Sequence, residues 1–356
     1  MGKEMKISVI VPVYNTPEEY LRTCIMSLVR QEFEEYEVII IDDGSEKITS
    51  DICDRLQDEN EYVHVIHQKN QGVAYARNNG IRRALGEYIL FIDADDWVLP
   101  GYFSDLYSYA KQNNADVVLT NAKICFADKQ LEGTFGDSMV LSEVQRIELL
   151  KTICGKRTQF DRIVGLDAPW GTLVSKELLN NIRFPIGVKR FEDLIFAIDI
   201  FSHAKKIAYY HENLYCYRMS NSSTCRSLCK DIVEQTILIN ESLQACLEKN
   251  QYFSYLEKWR YVKIVMFCLT DCMAMNFMNE KNSKRCISRY LEFKSLMKKP
   301  SINNAVQNVD VHLIPSKYQV CVKLLKCNLY LVSYGIIYIH KKIKNIKGKT
   351  LGENYK

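Results

Sequence analysis

The feature that most constrains this chain is a rhythm of short β-branched apolar runs separated by helix-length stretches. Ile7-Ser8-Val9-Ile10-Val11, Glu37–Ile41, Val63–Ile66, Tyr88–Ile92 and Asp116–Leu119 follow one another in this way through the first third of the sequence. A run apolar at successive positions belongs to a strand covered on both faces. Strands alternating with helices at this spacing form a mostly parallel α/β sheet. Between the first two runs, Thr16-Pro17-Glu18-Glu19 supplies a helix start, with Thr16 expected as N-cap and Pro17 at the first helical position. Leu21, Cys24, Ile25, Leu28 and Val29 give that helix a buried face. A second helix over Val73–Leu85 is expected to stop at Gly86 through a left-handed C-cap.

Residues 120–225 are mixed and loop-rich, and from Asp231 onward the periodicity is helical. The formal net charge of +4 offers no polybasic field, which argues against nucleic acid as a partner. The positive charge gathers at one end: residues 311–356 hold nine Lys and one acidic residue, Glu353. Within them, Lys323–Ile339 is apolar, and as a helix it is shorter than the ~30 Å hydrocarbon core. Lys323, Lys326, Tyr330, Ser333, Tyr334, His340 and Lys341 are expected on its polar side, which makes it amphipathic and suited to a membrane interface. The alternative is a domain-packing helix with a solvated tail. The thirteen Cys include no CxxC pair, and no secretory signal precedes the strand at Lys6–Val13, so free thiols in a reducing cytosol are expected.

In an open α/β sheet, ligands gather at the carboxyl ends of the strands. Here those ends carry Pro12-Val13-Tyr14-Asn15, Asp42-Asp43-Gly44-Ser45 and Asp93-Ala94-Asp95-Asp96. Three carboxylates in four residues repel one another unless a cation sits among them. Carboxylate oxygens favour hard ions, Mn²⁺ or Mg²⁺, shared with substrate phosphates. No Gly-rich phosphate loop is present, so a diphosphate would be held through metal and side chains. Asp42-Asp43-Gly44-Ser45 has the composition of a turn as well, and the two roles can coexist.

The runs Ile7–Asn15, Ile39–Ser45, Asn70-Gln71-Gly72-Val73-Ala74-Tyr75-Ala76-Arg77-Asn78 and Tyr88–Pro100 resemble, in order and spacing, the family 2 glycosyltransferases of GT-A fold that build bacterial surface polysaccharides. Pro169–Val174 and Phe191–Phe196 resemble that family's acceptor-side motifs, and the likeness extends over about residues 5–225.

The resemblance implies a GT-A domain over 1–225, divided into a nucleotide-sugar half (1–120) and an acceptor half (121–225). A helical region (226–310) and a basic amphipathic segment (311–356) follow. It also implies an inverting, metal-dependent transferase acting with a nucleotide-sugar donor, UDP by family frequency, on an acceptor hydroxyl. Pro12, Tyr14 and Asp42 would contact the nucleoside, Arg77 would lie near the diphosphate, Asp93 would meet ribose or sugar, and Asp95 would bind the metal. Asp193 would be the general base, beside Glu192 at a helix N-terminus whose dipole opposes basicity while desolvation favours it. From the residues alone, Arg77 could instead pair with a carboxylate.

Trp170 offers a surface for an acceptor sugar, or a core ring. Tyr217-Arg218 with Ser222-Ser223-Thr224 could close over donor phosphates, or form an ordinary surface loop. The basic C-terminus points to a glycan or lipid-linked sugar acceptor and a peripheral place on the cytoplasmic membrane face. A sugar-phosphate nucleotidyltransferase would need a Gly-rich basic loop that Pro12-Val13-Tyr14-Asn15 does not supply. A non-catalytic binding module would be expected to have lost Asp95 or Asp193.

Overall fold

The computed structural model describes residues 4–219 and 228–340. In chain order the first part runs β1 (Ile7–Val13), α1 (Glu18–Val29), β2 (Tyr36–Asp42), α2 (Lys47–Glu59), β3 (Val63–His67), α3 (Val73–Arg83), β4 (Tyr88–Phe91) and β5 (Trp97–Val98). It continues with α4 (Tyr102–Asn113), β6 (Val117–Cys125), β7 (Gln130–Glu132), β8 (Met139–Val140), α5 (Glu143–Ile153), β9 (Thr172–Ser175), α6 (Glu192–His203) and β10 (Ile207–Arg218).

The expected strands pair in parallel in the order β3-β2-β1-β4. Beyond β4 the sheet becomes mixed: β9 runs antiparallel to β4 and β6, β10 parallel to β6, and β5 antiparallel to β10. Strands β1 and β2 are buried almost throughout, as their continuous apolar runs require. The twelve-residue β10 was not legible beforehand, because His211, Glu212 and Asn213 interrupt its apolar pattern where its pairing with β6 is irregular.

Two local expectations are corrected. Pro17 is the N-cap of α1 and Thr16 does not cap it; the Pro17 carbonyl accepts from the Tyr20 and Leu21 amides. Helix α3 ends at Ala84, whose φ is −55°, and Gly86 is not a left-handed cap. Gly86 is required for another reason: a Cβ there would stand 2.5 Å from the Ser8 amide nitrogen. Its own N–H donates to Ser8 Oγ at 2.8 Å, so the chain entering β4 lies directly against β1.

The chain divides into two compact units. One comprises Met1–Ile153, Arg157–Asn221 and Asn250–Tyr252; the other comprises Cys154–Lys156, Ser222–Lys249 and Phe253–Lys356. The second unit is helical: α7 (Ile232–Glu248), α8 (Phe253–Leu269), a π-helical turn at Met273–Phe277, α9 (Cys286–Lys298), α10 (Pro300–Asn308), α11 (Ser316–Lys326) and α12 (330–340).

The apolar stretch that begins near Lys323 is therefore two helices, not one. Asn328 at φ 60° turns the chain, with the Asn328 amide bonded to Leu325 O and the Leu329 amide to Leu324 O, a Schellman-type stop. Among the described residues no helix is long and apolar enough to cross a membrane, and every cysteine is a free thiol.

Candidate active site

The parallel register brings the carboxyl ends of β2, β1 and β4 side by side, because Val13 pairs with Asp42 and Ile10 with Phe91. Asp42 is buried at the end of β2; its Oδ1 accepts the Ser45 amide at 2.9 Å and its Oδ2 lies 2.8 Å from His67 Nδ1. The bond to the Ser45 amide closes the turn expected from the composition of Asp42-Asp43-Gly44-Ser45. Burial works to raise the Asp42 pKa, but bonds from Ser45, His67 and Ser50 outweigh it and hold the carboxyl below its ordinary value. Asp43 points the other way and ties down the next loop, accepting from Gln68 Nε2 and from the Gln71 and Gly72 amides. Tyr14 is 56% exposed beside this edge, and Pro12 is partly buried within it.

The DADD segment divides its labour. Asp96 is fully buried and bound on both oxygens, by Tyr215 Oη at 2.6 Å and the Arg218 amide at 2.7 Å. It anchors β10 and is spent on the fold. Burial first, then the Asp93 and Asp95 charges, push its pKa well above the ordinary range. Asp95 is also raised, by burial and then by Asp93. That environment disfavours the anion and is relieved by a cation. No group of three or more His, Cys, Asp or Glu among the described residues makes a metal cage. Carboxylate oxygens from Asp95, with remaining positions filled by phosphate and water, nevertheless match the habit of Mg²⁺ and Mn²⁺.

Arg77 is the hub. It is 3% exposed, lies over the Phe184 ring at 5.2 Å, and donates from Nη2 to Asp93 Oδ1 at 2.9 Å and from Nη1 to Asp193 Oδ1 at 2.5 Å. Glu192 Oε1 stands 3.9 Å from the same Nη1. Its guanidinium is engaged by three acidic residues.

The joint that makes this possible turns on Phe184, which lies outside every motif. Asn78 Nδ2 donates to Phe184 O, and the Phe184 amide donates back to Asn78 Oδ1, both at 2.9 Å. Phe184 stacks on Phe196 of α6 at 3.8 Å, and both rings meet Phe91 edge-on. Thus α3, β4 and α6 are locked together, and Asp193 is delivered to Asp93. Phe191, the N-cap of α6, has φ 64°, a backbone strain uncommon for a non-glycine residue and frequent at functional sites.

Burial raises the Asp193 pKa, the Arg77 charge opposes it, and Glu192, Asp93 and Asp167 add to the rise, so that it stands at about 8. Desolvation therefore prevails over the attraction of Arg77. Glu192 is itself buried and shifted up by the same burial against the pull of Arg77. Trp170 takes its core alternative: it is 8% exposed and stacks on Tyr215 at 4.7 Å and Tyr217 at 5.3 Å.

Two residues were undervalued in the sequence. Arg218 is held by its Nε on the Asp95 carbonyl at 2.7 Å and stacks over Tyr20 and Trp97 at 4.3 and 4.6 Å, next to the acidic edge. His67 was not singled out, yet it stands one position beyond an apolar run, the place where site residues collect, and bridges Asp42 to Asp54. Burial pulls its pKa down, but the two carboxylates outweigh that and raise it. Ser222-Ser223-Thr224 lies outside the described residues.

A mixed α/β sheet with acidic residues along the carboxyl ends of its parallel strands is the arrangement of the GT-A fold. The family model for glycosyl transferase family 2 matches residues 8–157. Glycosyltransferase GlyG of Streptococcus pneumoniae is 34% identical over 239 residues, covering 64% of this chain and 77% of that protein. The chain belongs to glycosyl transferase family 2. Glycosyltransferase GlyA of the same organism is 31% identical over 226 residues, which are 62% of this chain but only 32% of GlyA's own length. In three dimensions the chain is similar to residues 1–349 of S. aureus TarS, solved in complex with UDP-GlcNAc, with a TM-score of 0.68, 20% identity, and coverage of 95% of this chain and 92% of that one.

Proposed function

We propose that this glycosyltransferase moves a sugar from a UDP-sugar donor to an acceptor hydroxyl with inversion at the anomeric carbon. The observation that carries the reading is the meeting of Asp93 and Asp193 on one guanidinium, which sets the donor edge and a raised-pKa carboxyl beside each other. In this reading the nucleoside lies against Pro12, Tyr14 and Asp42, whose carboxylate would accept from base N–H groups. Asp93 meets ribose or sugar.

Asp95 would hold Mn²⁺ or Mg²⁺, which supplies charge compensation for the leaving diphosphate. Arg218 takes the phosphate-facing role first expected of Arg77, supported by its stacked, pre-aimed guanidinium beside Asp95. Arg77 becomes a positioning residue.

Asp193 in its anionic form accepts the proton of the acceptor hydroxyl as that oxygen bonds to the anomeric carbon. The bond from that carbon to the diphosphate oxygen breaks on the opposite side, and the nucleoside diphosphate departs. Glu192 helps keep Arg77 charged and in place. The acceptor we infer is a glycan or lipid-linked sugar of surface polysaccharide, met at the cytoplasmic face of the membrane, with residues 311–356 as the peripheral contact. The lysine excess of that segment supports the reading.

The test is a screen of nucleotide sugars with Mn²⁺ or Mg²⁺, scored by released nucleoside diphosphate and by product mass. UDP-sugars should turn over, and Asp95→Ala and Asp193→Ala should each abolish transfer. Full turnover in either variant removes the role given to that residue.

A further inference from the structure

Helix α12 is amphipathic the opposite way round from the expectation. Its inward side is Tyr330, Ser333, Tyr334 and Ile337, all buried. Tyr334 packs against Tyr290 and Phe293 of α9 and donates to Phe277 O at 3.2 Å, while Ser333 Oγ bonds to Cys321 O of α11. The hydroxyls expected toward water are thus consumed by the fold.

The outward side is what remains. Leu331 is 62% exposed, Val332 51% and Ile339 57%, with Leu329 at 49% just before the helix. At 3.6 residues per turn, Leu331, Gly335, Ile339, Val332 and Ile336 sweep an arc of about 140° that contains no charged or hydrogen-bonding side chain. A helix that turns its polar groups inward and aliphatic groups outward is built to meet something apolar.

The rim of this face is cationic. Lys294 and Lys298 of α9 line one hollow with Leu329, Leu331 and Val332, and Lys298 Nζ lies 6.0 Å from the Tyr330 ring. Lys323 of α11 is exposed. In sequence, residues 341–356 then add six Lys against one Glu. An apolar face with lysines beside it matches a lipid surface with anionic headgroups, each lysine near such a surface adding to the attraction. A second copy of the same face would oppose lysine to lysine. Among the described residues no helix is long and apolar enough to cross a membrane, and an amphipathic helix of this kind lies in the plane of the interface.

We infer that the outward face of α12, carrying Leu331, Val332 and Ile339 and flanked by Lys294 and Lys298, inserts into the headgroup boundary of an anionic membrane. This rests on the peripheral contact proposed above and names the surface that makes it. It is tested without any sugar, so its failure is distinguishable from failure of the transferase reading.

The full chain is sedimented with phosphatidylcholine vesicles that contain or lack phosphatidylglycerol. The parent should bind the anionic vesicles more tightly, and Leu331→Ser/Val332→Ser/Ile339→Ser should bind them about a hundred-fold more weakly, the scale of keeping three aliphatic side chains in water. Lys294→Gln/Lys298→Gln should lose about ten-fold, and only at low salt. Because all five residues are at the surface, unchanged melting curves are expected and separate binding loss from unfolding. Equal binding by the triple variant and the parent overturns the inference, as does a parent that binds neither vesicle. A parent that self-associates through a contact abolished by the triple variant also overturns it, in favour of a second copy.

Discussion

Arg77→Lys preserves the charge at the centre of the site and removes only its fork. In the native site two nitrogens of one planar group reach carboxylates on different elements, Asp93 at 2.9 Å and Asp193 at 2.5 Å. An ammonium is a single point and cannot hold both in that geometry. A hydrogen bond to a charged group is worth about 1.5–3 kcal/mol. The Asp93 and Asp193 side chains are 29% and 32% exposed, so water recovers part of that, and a stability loss of about 1–2 kcal/mol is expected.

The effect on rate should be larger. Misplacing a catalytic group by about 1 Å costs on the order of 100-fold, so kcat should fall about 10- to 100-fold. Arg77 also opposes the rise of the Asp193 pKa, so displacing the cation should move the midpoint of the ascending limb above about 8. The assay is steady-state transfer across pH with a saturating donor, together with thermal unfolding. If Arg77 were instead a diphosphate contact, the damage would fall on the donor KM. An unchanged kcat and pH midpoint with only a raised donor KM would therefore refute the positioning role.

Other consequences are independent. Asp193 acts only when deprotonated, so kcat/KM of the parent should rise with pH to a plateau above about 8, and Asp193→Asn should lower it about 100- to 10,000-fold and flatten the profile. Because its native pKa lies above the ordinary 3.8, the folded state holds this proton more tightly; the stability so contributed is full below 3.8 and is lost as pH climbs toward about 8. Pairwise melting of parent and Asp193→Asn across that window checks the sign. Arg218→Gln should raise the donor KM about ten-fold or more with little change in the pH midpoint, measured by donor titration; an unaltered KM would argue against the phosphate role. Gly86→Ala should destabilise by about 1–3 kcal/mol, because its Cβ would stand 2.5 Å from a backbone nitrogen of β1 and not from a movable side chain; denaturant unfolding reads it.

Much was legible in the chain alone because it is local. Apolar runs at β1, β2, β3 and β4 state which residues must leave water, and turn-forming or acidic residues at their ends state where a site must be. That reasoning singled out Asp42, Asp93 and Asp95, whereas Glu192-Asp193 was reached through the resemblance carried by Phe191–Phe196. It read Gly86 as a cap because a glycine after a helix usually is one, and nothing in the local pattern reports the approach of Ser8.

What the tertiary structure alone decided is who meets whom. Asp193 and Arg77 are 116 residues apart, and their contact depends on the Asn78–Phe184 joint and the Phe91, Phe184 and Phe196 cluster, none of which has a periodic signature. Asp96 could not be told from Asp95 by spacing; it became a core acceptor only because β10 brings Tyr215 and the Arg218 amide to it. The same holds for α12, where composition announced two faces but packing against α9 and α11 chose which one turned inward. Hydrophobic periodicity records how strongly each residue avoids water. Pairing across the fold is set by the sum of many such preferences, so it is determined by the sequence and yet visible only once the chain is packed.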